Sequence, residues 1–305
     1  DELSYETDNT LLVAALLHDI GKPFTRIEKN GKVLFRNHQN RGVFEAIDIA
    51  AYIQENLAGF KNIQIEHVLN LISLHHIFFD HLQNANRKTP IKLYNKLKGF
   101  DRCFIDRLYK LCVADYKGKI NGESYNSLYN FNQLFSMVND IYSKNTINRD
   151  INYFYFNEVI FNIGIPYSGK NYNSTKLGYT VISRDKLISD ILWEYSYNKT
   201  QEMVDQAMIN VKLMDNLKRS INNRENIIID MTNLTRKSRN LKRNLFPNCY
   251  KKTANVYYTG LKTIRERMNT RTEKYISWDI IENMMNKYSL PLYDEFDEIN
   301  FILQL

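Results

Sequence analysis

The chain has no apolar run long enough to cross a bilayer, which excludes a membrane-spanning helix. Its first residues are acidic and polar, so a secretory signal is not expected there. Cysteine is scarce: Cys103, Cys112 and Cys249 are dispersed, without the paired spacing of a zinc site or a disulfide scaffold. These absences lead to the expectation of a soluble, cytoplasmic protein without a membrane partner. Histidine is the most informative scarcity. All six histidines lie between His18 and His81, and none follows in the remaining two-thirds of the 305 residues. Internal repeats and long low-complexity tracts are missing as well.

What is present divides the chain in two. The net charge is +7, yet the stretch from Lys212 to Arg271 holds 15 Lys and Arg against four acids. That local excess of +11 leaves the rest of the chain at −4. Clustered positive charge suits a polyanion such as nucleic acid or nucleotide, though solvated helix faces would give the same count. Apolar residues at helical spacing predict helices over 11–17, 43–57, 65–79, 92–114 and 127–142, with a short extended piece at 32–35. The polar stretch 143–152 reads as a linker. Beyond it, strands are expected at 158–163, 179–183, 227–230 and 254–258, alternating with helices over 186–197, 200–216, 236–245 and 275–288. That alternation predicts a parallel sheet with helices on both faces. The expected architecture is an all-α domain over 1–147 followed by an α/β domain over 153–305.

Leu11–Lys22 ends an apolar helix in the doublet His18-Asp19, then Gly21 and Lys22. Adjacent imidazole and carboxylate groups offer lone pairs to a divalent cation. Asp115, His38 and one of His75 and His76 are further candidate ligands. Only one of that pair is expected to face the site, because helix neighbours point about 100° apart. His67 and His81 read as bystanders. Lys22 is placed to neutralise a phosphate oxygen beside the metal. Taken singly, Asp115 fits a helix cap and His38 a surface loop residue.

In the second half, Gly164-Ile165-Pro166-Tyr167-Ser168-Gly169-Lys170 follows an apolar strand. Such a loop wraps its N–H groups around nucleotide phosphates while the lysine reaches the outer ones. Gly164, Ser168, Gly169, Lys170 and Asn171 are the cofactor-binding candidates, with Asn171 where the pattern has Ser or Thr to hold Mg²⁺. Asp185, after the second strand, is placed to accept a proton from an attacking hydroxyl. Asp230 ends the third strand at the edge where open parallel sheets bind ligands. Arg265, Arg267 and Arg271 form a basic stretch suited to clamping phosphates.

On these residues, 11–119 resembles the HD-domain phosphohydrolases, the HD region of tRNA nucleotidyltransferases in particular. His18-Asp19-Ile20-Gly21-Lys22-Pro23-Phe24-Thr25 and Val33-Leu34-Phe35-Arg36-Asn37-His38 carry the likeness. It implies a divalent metal held by His18, Asp19 and Asp115, with His38 and His75 admitting a second. The family's first histidine precedes its doublet, and none stands before His18; a helix preceding Asp1 is expected to supply it. Residues 157–305 resemble the P-loop 5′-polynucleotide kinases, through the phosphate loop, Ile182-Ser183-Arg184-Asp185, and Ile228-Ile229-Asp230-Met231-Thr232-Asn233-Leu234. The likeness extends to Arg265–Arg271, Pro291 and Glu295-Phe296-Asp297-Glu298-Ile299. It implies ATP or another NTP with Mg²⁺ as donor, Lys170 on its β- and γ-phosphates, Asp185 as general base, and Arg267 and Arg271 as lid arginines. The family's acceptor-contacting arginine falls on Ile188, with Arg184 the substitute.

The two resemblances together are similar to bifunctional end-healing enzymes. One half would remove a 2′,3′-cyclic phosphate or 3′-phosphate and the other phosphorylate the 5′-hydroxyl. RNA or DNA ends, cleaved tRNA above all, are the implied partners, together with a sealing RNA ligase. Two rivals are a nucleotide phosphohydrolase whose P-loop half senses NTP, and an RNA-binding scaffold with both sites decayed.

Overall fold

The computed structural model describes residues 3, 6–82, 85–118, 125–145, 155–170, 178–194, 206–270 and 276–305. It contains two compact units. The first comprises 1–152 with 259–295 and residue 305; the second comprises 153–258 with 296–304. The segment 259–295, which the sequence grouped with the kinase half, therefore packs with the helices of the first unit.

The first unit opens with α1 (Asn9–Leu17), started by the Asp8 carboxylate accepting from Thr10 N at 3.0 Å and Leu11 N at 3.2 Å. That cap satisfies two of the donors every helix start leaves open. A two-stranded hairpin follows, β1 (Arg26–Lys29) and β2 (Lys32–Phe35), of which β1 was not expected. Next come α2 (His38–Asn56), α3 (Ile65–Leu74), α4 (Phe79–Leu82), α5 (Thr89–Leu97), α6 (Arg102–Gly118) and α7 (Tyr125–Asn145). α3 packs on α1, α2 and α6, and Leu11, Val43, Ile47, Leu69, Ile72 and Leu108 are wholly buried among them. Burying each such aliphatic side chain contributes about 1.5–3 kcal/mol.

The expected helix 65–79 stops at Leu74, and four turn residues precede α4. The expected helix 92–114 is two helices, α5 and α6, parted at 98–101.

The second unit is the expected parallel sheet. β3 (Asn157–Ile163), β4 (Thr180–Ser183), β5 (Ile227–Asp230), β6 (Tyr250–Thr259) and β7 (Glu298–Gln304) lie in the order β4-β5-β3-β6-β7. β3 pairs in parallel with β5 and β6, and β4 in parallel with β5. The continuous apolar runs of β3 and β5 follow from their central place, with both faces covered. Helices α8 (Arg184–Glu194), α9 (Gln206–Asn222) and α10 (Arg236–Arg243) alternate with these strands. β7 was not foreseen. It lies beside β6, with the Asp297 carboxylate accepting from Lys252 N and Lys251 paired with Glu298.

Two further helices, α11 (Leu261–Thr270) and α12 (Trp278–Lys287), belong to the first unit. Asp48 on α2 accepts from Lys262 N at 3.0 Å, and Glu282 on α12 pairs with the buried Arg41 at 3.2 Å. These polar ties, with Phe44 edge-on to Tyr288, hold α11 and α12 to α2.

Candidate functional site

Four helix ends meet in the first unit. His18 caps the C-terminus of α1, and Asp19 follows it in the turn. His38 begins α2, His75 caps α3, and Asp115 lies in the last turns of α6. The turn after the doublet fits because Gly21 has no side chain. A Cβ there would stand 2.0 Å from the His38 carbonyl oxygen and 2.7 Å from Gly42 N.

The side chains converge. His18 Nε2 lies 3.3 Å from Asp19 Oδ2 and 3.6 Å from Asp115 Oδ1. His38 Nε2 is 3.2 Å from Asp19 Oδ1 and 3.3 Å from His75 Nε2. His76 Nε2 is 3.7 Å from Asp115 Oδ2. Lys22 Nζ bonds the Asp19 carboxylate. His67 and His81 are engaged elsewhere, His67 with Arg107 and His81 with Lys96.

The back of the site shows what the front is for. His18 Nδ1 donates to Ala15 O at 2.7 Å, His38 Nδ1 to Phe35 O at 2.9 Å, and His75 Nδ1 to Ile72 O at 2.7 Å. Each bond holds the proton on Nδ1 and turns the Nε2 lone pair toward the centre, as metal-binding imidazoles require. His38, His75 and His76 offer ligand atoms that all lie within 4.8 Å of one another. A set of imidazoles and carboxylates suits a divalent transition metal or Mn²⁺, so the residues fit the group.

Electrostatics agrees. Burial opposes charge on His18, but the Asp115 and Asp19 carboxylates and Ala15 O raise it to about 10. Burial also works against the Asp19 carboxylate, yet His18, His38 and Lys22 hold it well below the usual range. Burial and the neighbouring His76 push His75 down, keeping it neutral and able to donate a lone pair. Carboxylates that draw a proton this strongly onto His18 would draw a cation to the same place.

The structure places His18, Asp19, His38, His75 and Asp115 together, with Lys22 beside them, and it adds His76. The expectation that one of the two adjacent histidines would turn away assumed an unbroken helix. α3 ends at Leu74, both histidines lie in the turn that follows, and both rings reach the centre, 4.1 Å apart. Asp115 is not a helix cap but an inward-facing side chain of α6.

In the second unit, β3 runs into the phosphate loop. Gly164 N donates to Thr232 O at 3.1 Å and Ser168 N to Ile165 O at 3.3 Å. Tyr167 and Gly169 adopt positive φ of 64° and 83°. At Gly169 a Cβ would also meet the Gln304 amide, at 2.4 Å from Oε1, so glycine is needed twice over. Lys170 turns back into the loop, donating to Gly164 O at 2.8 Å, Ile165 O at 2.6 Å and Ser168 Oγ at 3.2 Å. Burial lowers it to about 8, against the attraction of Asp230 and Asp185.

Asp185 stands in the first turn of α8, at the same carboxyl edge of the sheet. Asp230 ends β5 and accepts from Asn162 Nδ2 at 3.3 Å; burial raises its pKa. Asn233 bonds the Asn162 and Ile229 carbonyls and accepts from Lys242 Nζ at 3.0 Å, tying the β5 loop to β3 and α10. Arg267 lies on α11 in the first unit. Asn171 and Arg271 fall outside the described residues.

The comparisons divide the chain by sequence, and the second match runs on into 259–291, which packs with the first unit. Residues 2–116 match the family described as HD domain, and 159–291 match a family described as AAA domain. No curated protein matches the chain. Among solved structures it is similar to a gluconokinase from Sinorhizobium meliloti 1021, at 16% identity over 49% of this chain and 83% of that one, with TM-score 0.35. It is also similar to Chaetomium thermophilum Kti12 in complex with ADP-AlF3, at 19% identity over 48% and 88% of the two chains, with TM-score 0.35. A sugar kinase from Janibacter sp. HTCC2649 is similar at 15% identity over 48% and 84%, with TM-score 0.33. Residues 2–116 thus carry the HD-domain match and residues 159–291 the AAA-domain match, one in each half of the chain.

Proposed function

We propose that the protein heals broken nucleic-acid ends. Its HD domain would hydrolyse a 2′,3′-cyclic phosphate or 3′-phosphate, and its kinase-like domain would phosphorylate a 5′-hydroxyl from ATP or another NTP. RNA is the favoured substrate, cleaved tRNA among its sources, and an RNA ligase would consume the product. The observation that carries the reading is the convergence of His18, His38, His75 and His76 with two carboxylates, in one chain with a phosphate loop.

In the HD domain, His18, Asp19, His38, His75, His76 and Asp115 would hold one or two divalent ions. When bound, a metal there supplies Lewis-acid polarisation of a phosphoryl oxygen and lowers the pKa of water. The protein's own residues set the geometry. The three carbonyl-anchored imidazoles cannot rotate without losing a hydrogen bond, so the ligand array is preorganised. Lys22, paired with Asp19, would offset the negative charge of a phosphate oxygen bound there.

In the kinase-like domain, the loop N–H groups and Lys170 would hold the donor phosphates. Lys170 would leave the Gly164 and Ile165 carbonyls to do so, exchanging neutral acceptors for charged ones. Asp185 would accept the proton of the acceptor hydroxyl as that oxygen attacks the γ-phosphorus. Asn171, Arg267 and Arg271 are proposed to assist, Asn171 on Mg²⁺ and the arginines on the transferring phosphoryl group.

The test is incubation of a 5′-hydroxyl, 2′,3′-cyclic-phosphate RNA with Mg²⁺, Mn²⁺ and γ-labelled ATP, scoring both ends. Asp19→Ala should abolish the 3′-end reaction and spare 5′-labelling, and Asp185→Ala should do the reverse. Equal loss of both in either variant would refute two independent sites.

A further inference from the structure

The hairpin β1–β2 makes up most of the connection between two proposed metal ligands, Asp19 and His38. It has an unusual surface. Two-stranded hairpins have too little area to bury a core, and this one leaves large apolar side chains in water. Ile27, Val33 and Phe35 of the hairpin, and Phe24 in the turn before it, are 36–48% exposed. Interleaved with them in the hairpin are Arg26, Lys29 and Lys32, flanked by Lys22 and Arg36, against the single carboxylate of Glu28.

The cross-strand pairs put both kinds of group on both faces. Arg26 stands opposite Phe35 and Glu28 opposite Val33 on one; Ile27 opposite Leu34 and Lys29 opposite Lys32 on the other. A face meant for a protein core would segregate apolar from charged. Interleaved rings and cations are what a flexible polyanion with stacking bases requires. The tip is a tight turn, with Asn30 at φ 53° and Gly31 at φ 71°, so the hairpin is a defined arm.

At its base the arm connects physically to the site. The Phe35 ring lies 5.8 Å from Lys22 Nζ, and Lys22 bonds Asp19. Phe35 O accepts from His38 Nδ1. A strand lying along the arm would have its terminal phosphate delivered to the proposed metal ligands.

We propose that the β1–β2 arm is a docking surface for single-stranded nucleic acid, leading a 3′-terminal phosphate into the histidine–aspartate centre. Lys29 and Lys32 at the tip meet the backbone phosphates, and the strand crosses the edge of the arm so that Phe35, on the other face, offers a platform for a base. This rests on the end-healing reading and narrows it, since the HD domain would then prefer polymeric ends to free nucleotides.

The test uses the full chain with its divalent metal and two substrates bearing the same 2′,3′-cyclic phosphate. One is a mononucleotide; the other is a single strand of about ten nucleotides, within the ~4–16 covered by single-strand sites. The wild-type KM should be lower for the oligonucleotide and rise with salt. Lys29→Glu/Lys32→Glu should leave kcat and KM for the mononucleotide unchanged. It should flatten the salt dependence of the oligonucleotide KM by ~7-fold between 50 and 200 mM salt, as expected for ~0.7 in log–log slope per lost contact. Identical oligonucleotide kinetics in wild type and variant would overturn the proposal, as would an equal fall on both substrates. Photo-crosslinking with a 4-thiouridine oligonucleotide separates this from the end-healing reading. Crosslinks to residues 26–35 support the arm even where no 3′-end hydrolysis occurs, and crosslinks confined elsewhere overturn it.

Discussion

Gly21→Ala tests how the histidine–aspartate centre is built. The added Cβ would stand 2.0 Å from His38 O and 2.7 Å from Gly42 N, where side-chain carbons keep at least 3.0 Å. Both obstacles are backbone, so no rotamer change relieves the clash, and the Asp19 turn must part from α2 by about 1 Å. Overpacking of this kind costs about 1–3 kcal/mol, and the upper end applies where two backbones are forced apart. For a domain of this size that is a fall in Tm of about 6–12 °C. The same displacement would stretch the 3.2 Å approach of His38 to Asp19, and loosening metal ligands typically costs about 10–100-fold in affinity. Calorimetry with and without Mn²⁺, and a metal titration, measure the two effects. Gly59→Ala is the control, because a Cβ there meets nothing within 4 Å. ATP affinity should be unchanged in both variants. A Gly21→Ala protein with wild-type Tm and metal affinity would show that contact between the doublet turn and α2 does not organise the centre.

Further outcomes follow from other parts of the structure. Chelation should lower the Tm of the metal-loaded chain, with Mn²⁺ restoring it, because a ligand bound only by the folded state stabilises by mass action; an unchanged Tm would mean that the array holds no ion. Gly169→Ala should weaken ATP binding at least tenfold, since it strains a φ of 83° and presses on Gln304, and equilibrium dialysis reads this directly. Lys242 bears on pH. Burial, with Arg184 and Arg239 nearby, lowers it to about 8 from an ordinary 10.5, so the unfolded chain binds more protons between those values. Its contribution to stability therefore rises with pH from about 8 to 10.5 and is lost as pH falls through 8. Lys242→Met should show a shallower rise in urea midpoint across that window than wild type.

Much of this was legible because it is local. The doublet at His18-Asp19, the loop from Gly164 to Lys170 and the strand at Ile227–Asp230 announce themselves within a few residues, and nothing distant is needed to recognise them. His76 was missed for a physical reason. A hydrophobic period over 65–79 reads as one helix whether or not the backbone turns at its end, and that turn lets two adjacent rings face one way. β1 was invisible because its residues, Arg26-Ile27-Glu28-Lys29, bury no face and so carry no dependable alternation. β7 follows a long irregular stretch, and its place beside β6 rests on pairing with residues over forty positions away. The packing of 259–295 with the helical unit depends on partners such as Asp48 and Arg41, more than two hundred positions distant.

The place where α3 ends has a consequence for how many ions the centre can accept. Continuing that helix through His76 would change the direction of its imidazole relative to the array. If the centre holds metal as proposed, its capacity would depend on where this helix stops as well as on the identity of the ligands. A substitution near Ser73 or Ile77 that favours helix would then be expected to lower the number of ions bound, with every histidine still in the sequence.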